Sequence, residues 1–220
     1  MPGNLTPLHS ILLQYLFRAA YSLLYHQMAW SYDWVAAAVS FGNWKTWVHS
    51  VVPYLTGPNI LELGHGPGHL LLDQIQHGNM IIGLDRSPQM SRQAKKRLAR
   101  HNLAARLING KAERLPFAQH TFHQVVATFP SEYIFQADTL AEIYRVLIPN
   151  GKLIILPMAW ITGKSRVERL ISQLLSSADM AFNWEDNLVT PLANVGYETK
   201  IHCLELPSSS LMIIEAIKSN

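Results

Sequence analysis

From residue 57 onward the chain alternates between two kinds of segment, and this alternation constrains the fold more than any other feature. Short apolar runs rich in β-formers stand at 59–63, 80–85, 105–109, 124–129 and 152–158. Between them, helical spacing runs through 69–77, 87–101 and 136–148. Apolar strands separated by helices predict a parallel sheet with helices on both faces. Ser87 is a natural N-cap, with Pro88 at the first helical position. Leu140, Ile143, Tyr144 and Leu147 trace one helix face, and Pro149-Asn150-Gly151 is expected to stop that helix. One or two further helices are expected at 165–181 and 186–195. After them "YETKIHCLEL" and "SLMIIEAIK", separated by Pro207-Ser208-Ser209, read as an antiparallel pair closing the sheet edge.

Residues 1–56 differ. In "LHSILLQYLFRAAYSLLYHQM" the polar residues Ser10, Gln14, Arg18, Ser22 and His26 recur every four positions, a narrow polar stripe on an otherwise apolar helix. Such a helix needs a cover: the protein's own core, a second subunit in a homodimer, or a membrane surface. It is not expected to span a membrane, because only 14 residues separate Arg18 from Asp33. The division expected is an N-terminal helical cap, 1–56, on one compact unit, 57–220.

The 220 residues are 49% hydrophobic, which excludes disorder. A net charge of +3, with one dense basic run at 92–100, disfavours nucleic acid as a partner. The single cysteine, Cys203, excludes an internal disulfide and a cysteine-based zinc site. It fits a reducing compartment. With no secretory signal visible, a cytoplasmic or membrane-peripheral location is expected.

The chemistry concentrates in "LELGHGPGHL", 61–70. Gly64, Gly66 and Gly68 follow an apolar run and precede a helix. Glycine tolerates positive φ and lacks a Cβ, so a ligand can approach the backbone at a helix N-terminus. The dinucleotide pattern is not met, since His69 stands where its third glycine belongs; no lysine of a P-loop follows. Asp85, 17 residues after Gly68, ends the second apolar run. A carboxylate there can accept from both hydroxyls of a ribose. His65 and His69 lack a third ligand spaced for zinc, so no metal is expected.

"ILELGHGPGHLLL", "IIGLDRSPQM", "GKAERLPFAQHTFHQVVATF" and "LAEIYRVLIPNGKLIIL" resemble, in order and spacing, the motifs of class I S-adenosylmethionine-dependent methyltransferases. The small-molecule subgroup that includes ubiquinone/menaquinone C-methyltransferases is the most similar, and "YDWVAAAVSFGNWKTW" also resembles a segment of it. The resemblance implies a Rossmann-like, seven-stranded, mainly parallel sheet with an antiparallel edge pair, capped by N-terminal helices. It implies S-adenosyl-L-methionine as cofactor and a small acceptor. Gly64, Gly66 and Gly68 would admit the aminoacyl end, with His65 packed near the cofactor and Glu62 approaching the ammonium. Asp85 would hold the ribose, with Arg86 beside the adenine and Ala112 and Glu113 at its edge. Phe129 would face the reaction space.

Lys111 departs from the pattern, which carries an acid there, and His123 stands where an aspartate is usual. Glu132, Tyr133 and Tyr32 are the candidate catalytic residues, able to orient or deprotonate an acceptor. The low-charge, aromatic N-terminus points to an apolar acceptor: a quinone-like ring, a lipid or a hydrophobic metabolite. Alternatives are a non-catalytic cofactor-binding subunit, an RNA methyltransferase and an NAD-dependent oxidoreductase.

Overall fold

A computed structural model describes residues 40, 42–162 and 188–219. The polar-striped segment 8–28, Tyr32 and the expected helix 165–181 lie outside the described residues, as does the start of the one expected at 186–195.

The strands are β1 (Asn59–Leu63), β2 (Met80–Asp85), β3 (Arg106–Asn109), β4 (Phe122–Thr128), β5 (Leu147–Ile161), β6 (Tyr197–Leu206) and β7 (Ser209–Lys218). They form one seven-stranded sheet in the order β3-β2-β1-β4-β5-β7-β6. The first five are parallel; β7 runs antiparallel to β5, and β6 antiparallel to β7. The order reverses at β1: the chain steps to β2 and β3 on one side, then returns to β4 on the other. Crevices for ligands open at such a switch, outside the carboxyl ends of the strands.

The helices are α1 (Trp44–His49), α2 (His69–Gln76), α3 (Pro88–Ala99), α4 (Ala137–Val146) and α5 (Thr190–Val195). Their apolar faces build two cores, one on each side of the sheet. Leu61, Leu63, Val125, Leu153 and Ile155 join Leu140, Ile143 and Leu192 on one side. Ile60, Val126 and Ile154 join Leu70, Leu71, Ala94, Trp47 and Val48 on the other. Strand neighbours thus point to opposite faces, as the period of two requires.

Ser87 caps α3 as expected: its hydroxyl accepts from the Met90 N–H at 3.3 Å. One expectation needs correcting. Helix α4 ends at Val146, and β5 begins at once with Leu147, paired with Phe122. Pro149-Asn150-Gly151 therefore lies within the strand, at an irregularity where the register passes to Gln124–Lys152. Asn150 takes φ +59 there, a conformation asparagine tolerates. Nearer the start of the described residues, Trp47, Val48, Val51 and Leu55 are buried in the second core. Among the described residues, no helix is long and apolar enough to cross a membrane.

Candidate active site

The loop from β1 to α2 crosses the carboxyl edge of the sheet at its switch point. Gly64, Gly66 and Gly68 all take positive φ, +68, +52 and +79, which explains three glycines at alternate positions. They serve different purposes. A Cβ on Gly66 would meet nothing within 4 Å, so its bare peptide faces open space. A Cβ on Gly64 would lie 3.0 Å from the Tyr133 hydroxyl oxygen. A Cβ on Gly68 would lie 2.8 Å from the Cβ of Ala94, so this glycine lets α3 pack against the start of α2. The missing side chain of Gly68 thus makes room for a helix.

Asp85 ties the loop to β2. Its Oδ2 accepts from the Gly66 N–H at 2.9 Å, and its Oδ1 from the Ser87 N–H at 2.7 Å. Each oxygen keeps a further lone pair. His65 is buried beneath the loop, its ring against Gly83, where a Cβ would come within 2.8 Å. Its Nδ1 donates to the Gly66 carbonyl at 2.7 Å, which leaves Nε2 as acceptor for the Ser91 hydroxyl at 3.4 Å. Burial holds this imidazole's pKa below its ordinary value, although Asp85 pulls the other way. His65 is therefore a neutral strut of the loop. Arg97, in the basic run of α3, donates from Nη1 to the Pro67 carbonyl and braces the loop from outside.

Two cavities flank the loop. The larger, about 250 Å³, is lined by Gly64, Leu84, Asp85, Arg86, Ser87, Lys111, Ala112, Glu113, Thr128, Phe129 and Tyr133, among others. The smaller, about 20 Å³, is lined by Trp44, Glu62, Gly64, His65, Gly66, His69 and Thr128, with Val48, Pro67 and Leu70. Gly64 and Thr128 line both. Glu62 is 2% exposed, and its Oε2 finds no hydrogen-bond partner among the described residues. Burial, reinforced by Asp85, pushes its carboxyl well above the ordinary value. An acid buried without a partner is costly, and a cation reaching it would relieve that cost.

The crevice thus brings together Glu62, Gly64, Gly66, Asp85, Arg86, Ala112, Glu113, Phe129 and Tyr133. Glu132 is exposed and lines neither cavity. Lys111 also faces the larger cavity. Three features had no signal in the sequence. Trp44 stacks on Phe129, ring centroids 4.5 Å apart at 29°. Phe129 itself sits at φ +48, a strained conformation for an aromatic residue at the mouth of a crevice. The loop carrying Ala112 and Glu113 is clamped to α4: Glu142 Oε2 accepts from the Leu115 N–H at 2.7 Å, and Arg145 donates to the carbonyls of Leu115 and Phe117. Among the described residues, no group of three or more His, Cys, Asp or Glu could hold a metal.

Residues 60–151 match the family described as "Methyltransferase domain". That stretch matches a methyltransferase domain, and the chain resembles the class I S-adenosylmethionine-dependent enzymes. The domain is 31% identical over 152 residues to the ubiquinone/menaquinone biosynthesis C-methyltransferase UbiE of Blochmanniella floridana, across 65% of this chain and 60% of that one. It is 33% identical over 142 residues to the demethylmenaquinone methyltransferase of Symbiobacterium thermophilum, across 60% and 57%. The chain thus spans about 60% of the length of these curated relatives. Its fold is similar to that of the geranyl diphosphate C-methyltransferase of Streptomyces coelicolor, solved with Mg2+, geranyl diphosphate and S-adenosyl-L-homocysteine: TM-score 0.58, 14% identity, 77% of each chain covered.

The domain's crevice fits that cofactor on its own geometry. An orphaned buried carboxylate oxygen lies at one end and a ribose-competent carboxylate near the other, with a side-chain-free residue between. Leu84 and Ala112 add apolar wall to the larger cavity.

Proposed function

We propose that this chain transfers the methyl group of S-adenosylmethionine to a small apolar acceptor, a quinone-like ring being the class favoured. One observation carries the reading. Asp85 and the orphaned Glu62 belong to two cavities that meet at the bare backbone of Gly64.

The cofactor supplies a methyl carbon already made electrophilic by its sulfonium, so the protein's work is alignment and exclusion of water. Asp85 accepts from the ribose hydroxyls with the lone pairs that Gly66 and Ser87 leave open. Glu62 holds the ammonium as an ionised carboxylate. Leu84, Ala112 and the Ala112–Glu113 backbone would hold the adenine, beside Lys111, which lines the same cavity. Phe129 and Tyr133 line the space in which an acceptor would be oriented. The aromatic, low-charge stretch before residue 40 suits an acceptor drawn from a membrane surface.

The similarity to two quinone-modifying relatives supports the acceptor class; the proposal does not extend to the part of their length this chain leaves unmatched. The test is calorimetry with S-adenosylmethionine and S-adenosylhomocysteine, followed by transfer of labelled methyl to a demethylated quinone analogue. Binding of both nucleosides with transfer to the quinone is the expected result. Absence of binding would remove the cofactor assignment. Binding without transfer to any phenolic or quinol acceptor would favour a cofactor-binding subunit instead.

A further inference from the structure

We propose that Trp44 is a specificity-determining residue that senses the positive charge on the cofactor's sulfur, separating charged S-adenosylmethionine from its neutral demethylated product. The inference rests on the cofactor assignment made above.

A sulfonium carries a full charge but no N–H or O–H. It is attracted by a carboxylate or by the negative face of an aromatic ring. The two buried carboxylates of the crevice have other duties. Asp85 already holds the N–H groups of Gly66 and Ser87, and Glu62 is the buried acid of the smaller cavity. Where the cavities adjoin, the shared lining is Gly64 and Thr128, neither of them charged. Aromatic rings line both of the cavities that share those two residues. Trp44 comes from the smaller cavity's wall, and Phe129 and Tyr133 from the larger one's. A cation at the junction therefore meets ring faces rather than a third acid, and tryptophan has the strongest of them.

Trp44 is held in place from several directions. Its backbone N–H donates to the Ser40 hydroxyl at 2.9 Å, which starts α1. One turn on, the buried indole of Trp47 donates from Nε1 to the Ser209 hydroxyl at 2.8 Å and pins α1 to β7. Phe129 backs the Trp44 ring, and its own N–H is fixed to the Leu156 carbonyl at 2.7 Å. A ring so supported loses little freedom when a cation arrives, so its attraction is available for discrimination.

The experiment measures dissociation constants of the full chain and of Trp44→Leu and Trp44→Phe variants for three probes: S-adenosylmethionine, S-adenosylhomocysteine, and sinefungin, in which an amine-bearing carbon replaces the sulfonium. In Trp44→Leu, affinity for the two cationic probes should fall roughly fivefold to tenfold, with less than about a twofold change for the neutral one. Trp44→Phe keeps a ring with a weaker face and should lose about twofold to threefold for the cations alone. It decides the matter should the leucine variant not fold. Equal weakening of all three probes, or none, in whichever variants fold overturns the charge-sensing role and assigns Trp44 to packing. A wild-type chain that binds none of the three overturns the cofactor assignment itself, a different and recognisable failure.

Discussion

The Gly66 N–H donates to the Asp85 carboxylate at 2.9 Å, so the glycine loop and the end of β2 are one rigid unit before any ligand arrives. The same carboxylate takes the Ser87 N–H, so the start of α3 belongs to that unit as well. Asp85 is thus both a scaffold and part of the larger cavity's wall.

This double role sets the outcome of Asp85→Ala. Two buried N–H groups lose their acceptor, so stability should fall by about 1–3 kcal/mol in a denaturant titration. Cofactor affinity should fall by about 1.5–3 kcal/mol, read by calorimetry on the folded fraction. Asp85→Asn retains one acceptor oxygen and should fall between wild type and alanine. Unchanged affinity in the alanine variant would remove the ribose role.

Glu62 makes the ligand-free protein sensitive to pH. Burial and then Asp85 raise its carboxyl well above the ordinary value of 4.5. The folded state therefore holds a proton that the unfolded chain has lost, and this group's contribution falls as pH rises from 4.5 through the raised folded value. Glu62→Gln should flatten that decline in thermal unfolding scans and weaken cofactor binding. An ammonium at Oε2 favours the ionised carboxylate, so binding within that window should release a proton from Glu62. Calorimetry in two buffers of different ionisation enthalpy measures it, and a decline unaltered in the glutamine variant would show that Glu62 is not its source.

The neighbouring glycines should respond in opposite ways. Gly66→Ala places a methyl group in open space, so its main effect should be on ligand affinity, with about 1 kcal/mol of backbone strain. Gly68→Ala forces a methyl to 2.8 Å from Ala94 at a positive φ and should lower stability by roughly 2–4 kcal/mol. Parallel unfolding and binding titrations compare the two. A Gly68→Ala protein as stable as wild type would contradict the packing explanation.

Arg145 links α4 to the loop that carries Ala112 and Glu113. Its guanidinium donates to two loop carbonyls and to Glu142, which itself holds the Leu115 N–H. Arg145→Ala should cost about 1–2 kcal/mol of stability, since the group is half-exposed and water replaces part of what is lost. Faster amide exchange over 111–118 should accompany it, together with weaker cofactor binding.

Much of the site was legible because its signals are local. The run of glycines needs only its own backbone to announce a close approach, and Asp85 needs only its place at the end of an apolar run. The Ser87 cap and the β6–β7 hairpin are likewise written in a few adjacent residues. The exceptions lay where a partner distant in sequence decides the meaning. Gly68 resembles its two neighbours until Ala94 arrives on α3. His65 reads as a packed loop side chain, but only Gly83, on the neighbouring strand, supplies the hollow its ring fills.

The sequence by itself determined the alternation of strands and helices, the place of the crevice at the end of β1, and the acid that faces it. These follow from periodicity, capping and glycine geometry, which act over a few residues. Tertiary structure alone decided that Trp44 would stack on Phe129, that Glu62 would be buried with its Oε2 unpartnered among the described residues, and that Arg145 would hold the loop carrying Ala112 and Glu113. Packing brings those groups together across tens of residues of chain, and it does so through the shapes of surfaces that exist only once the sheet has formed.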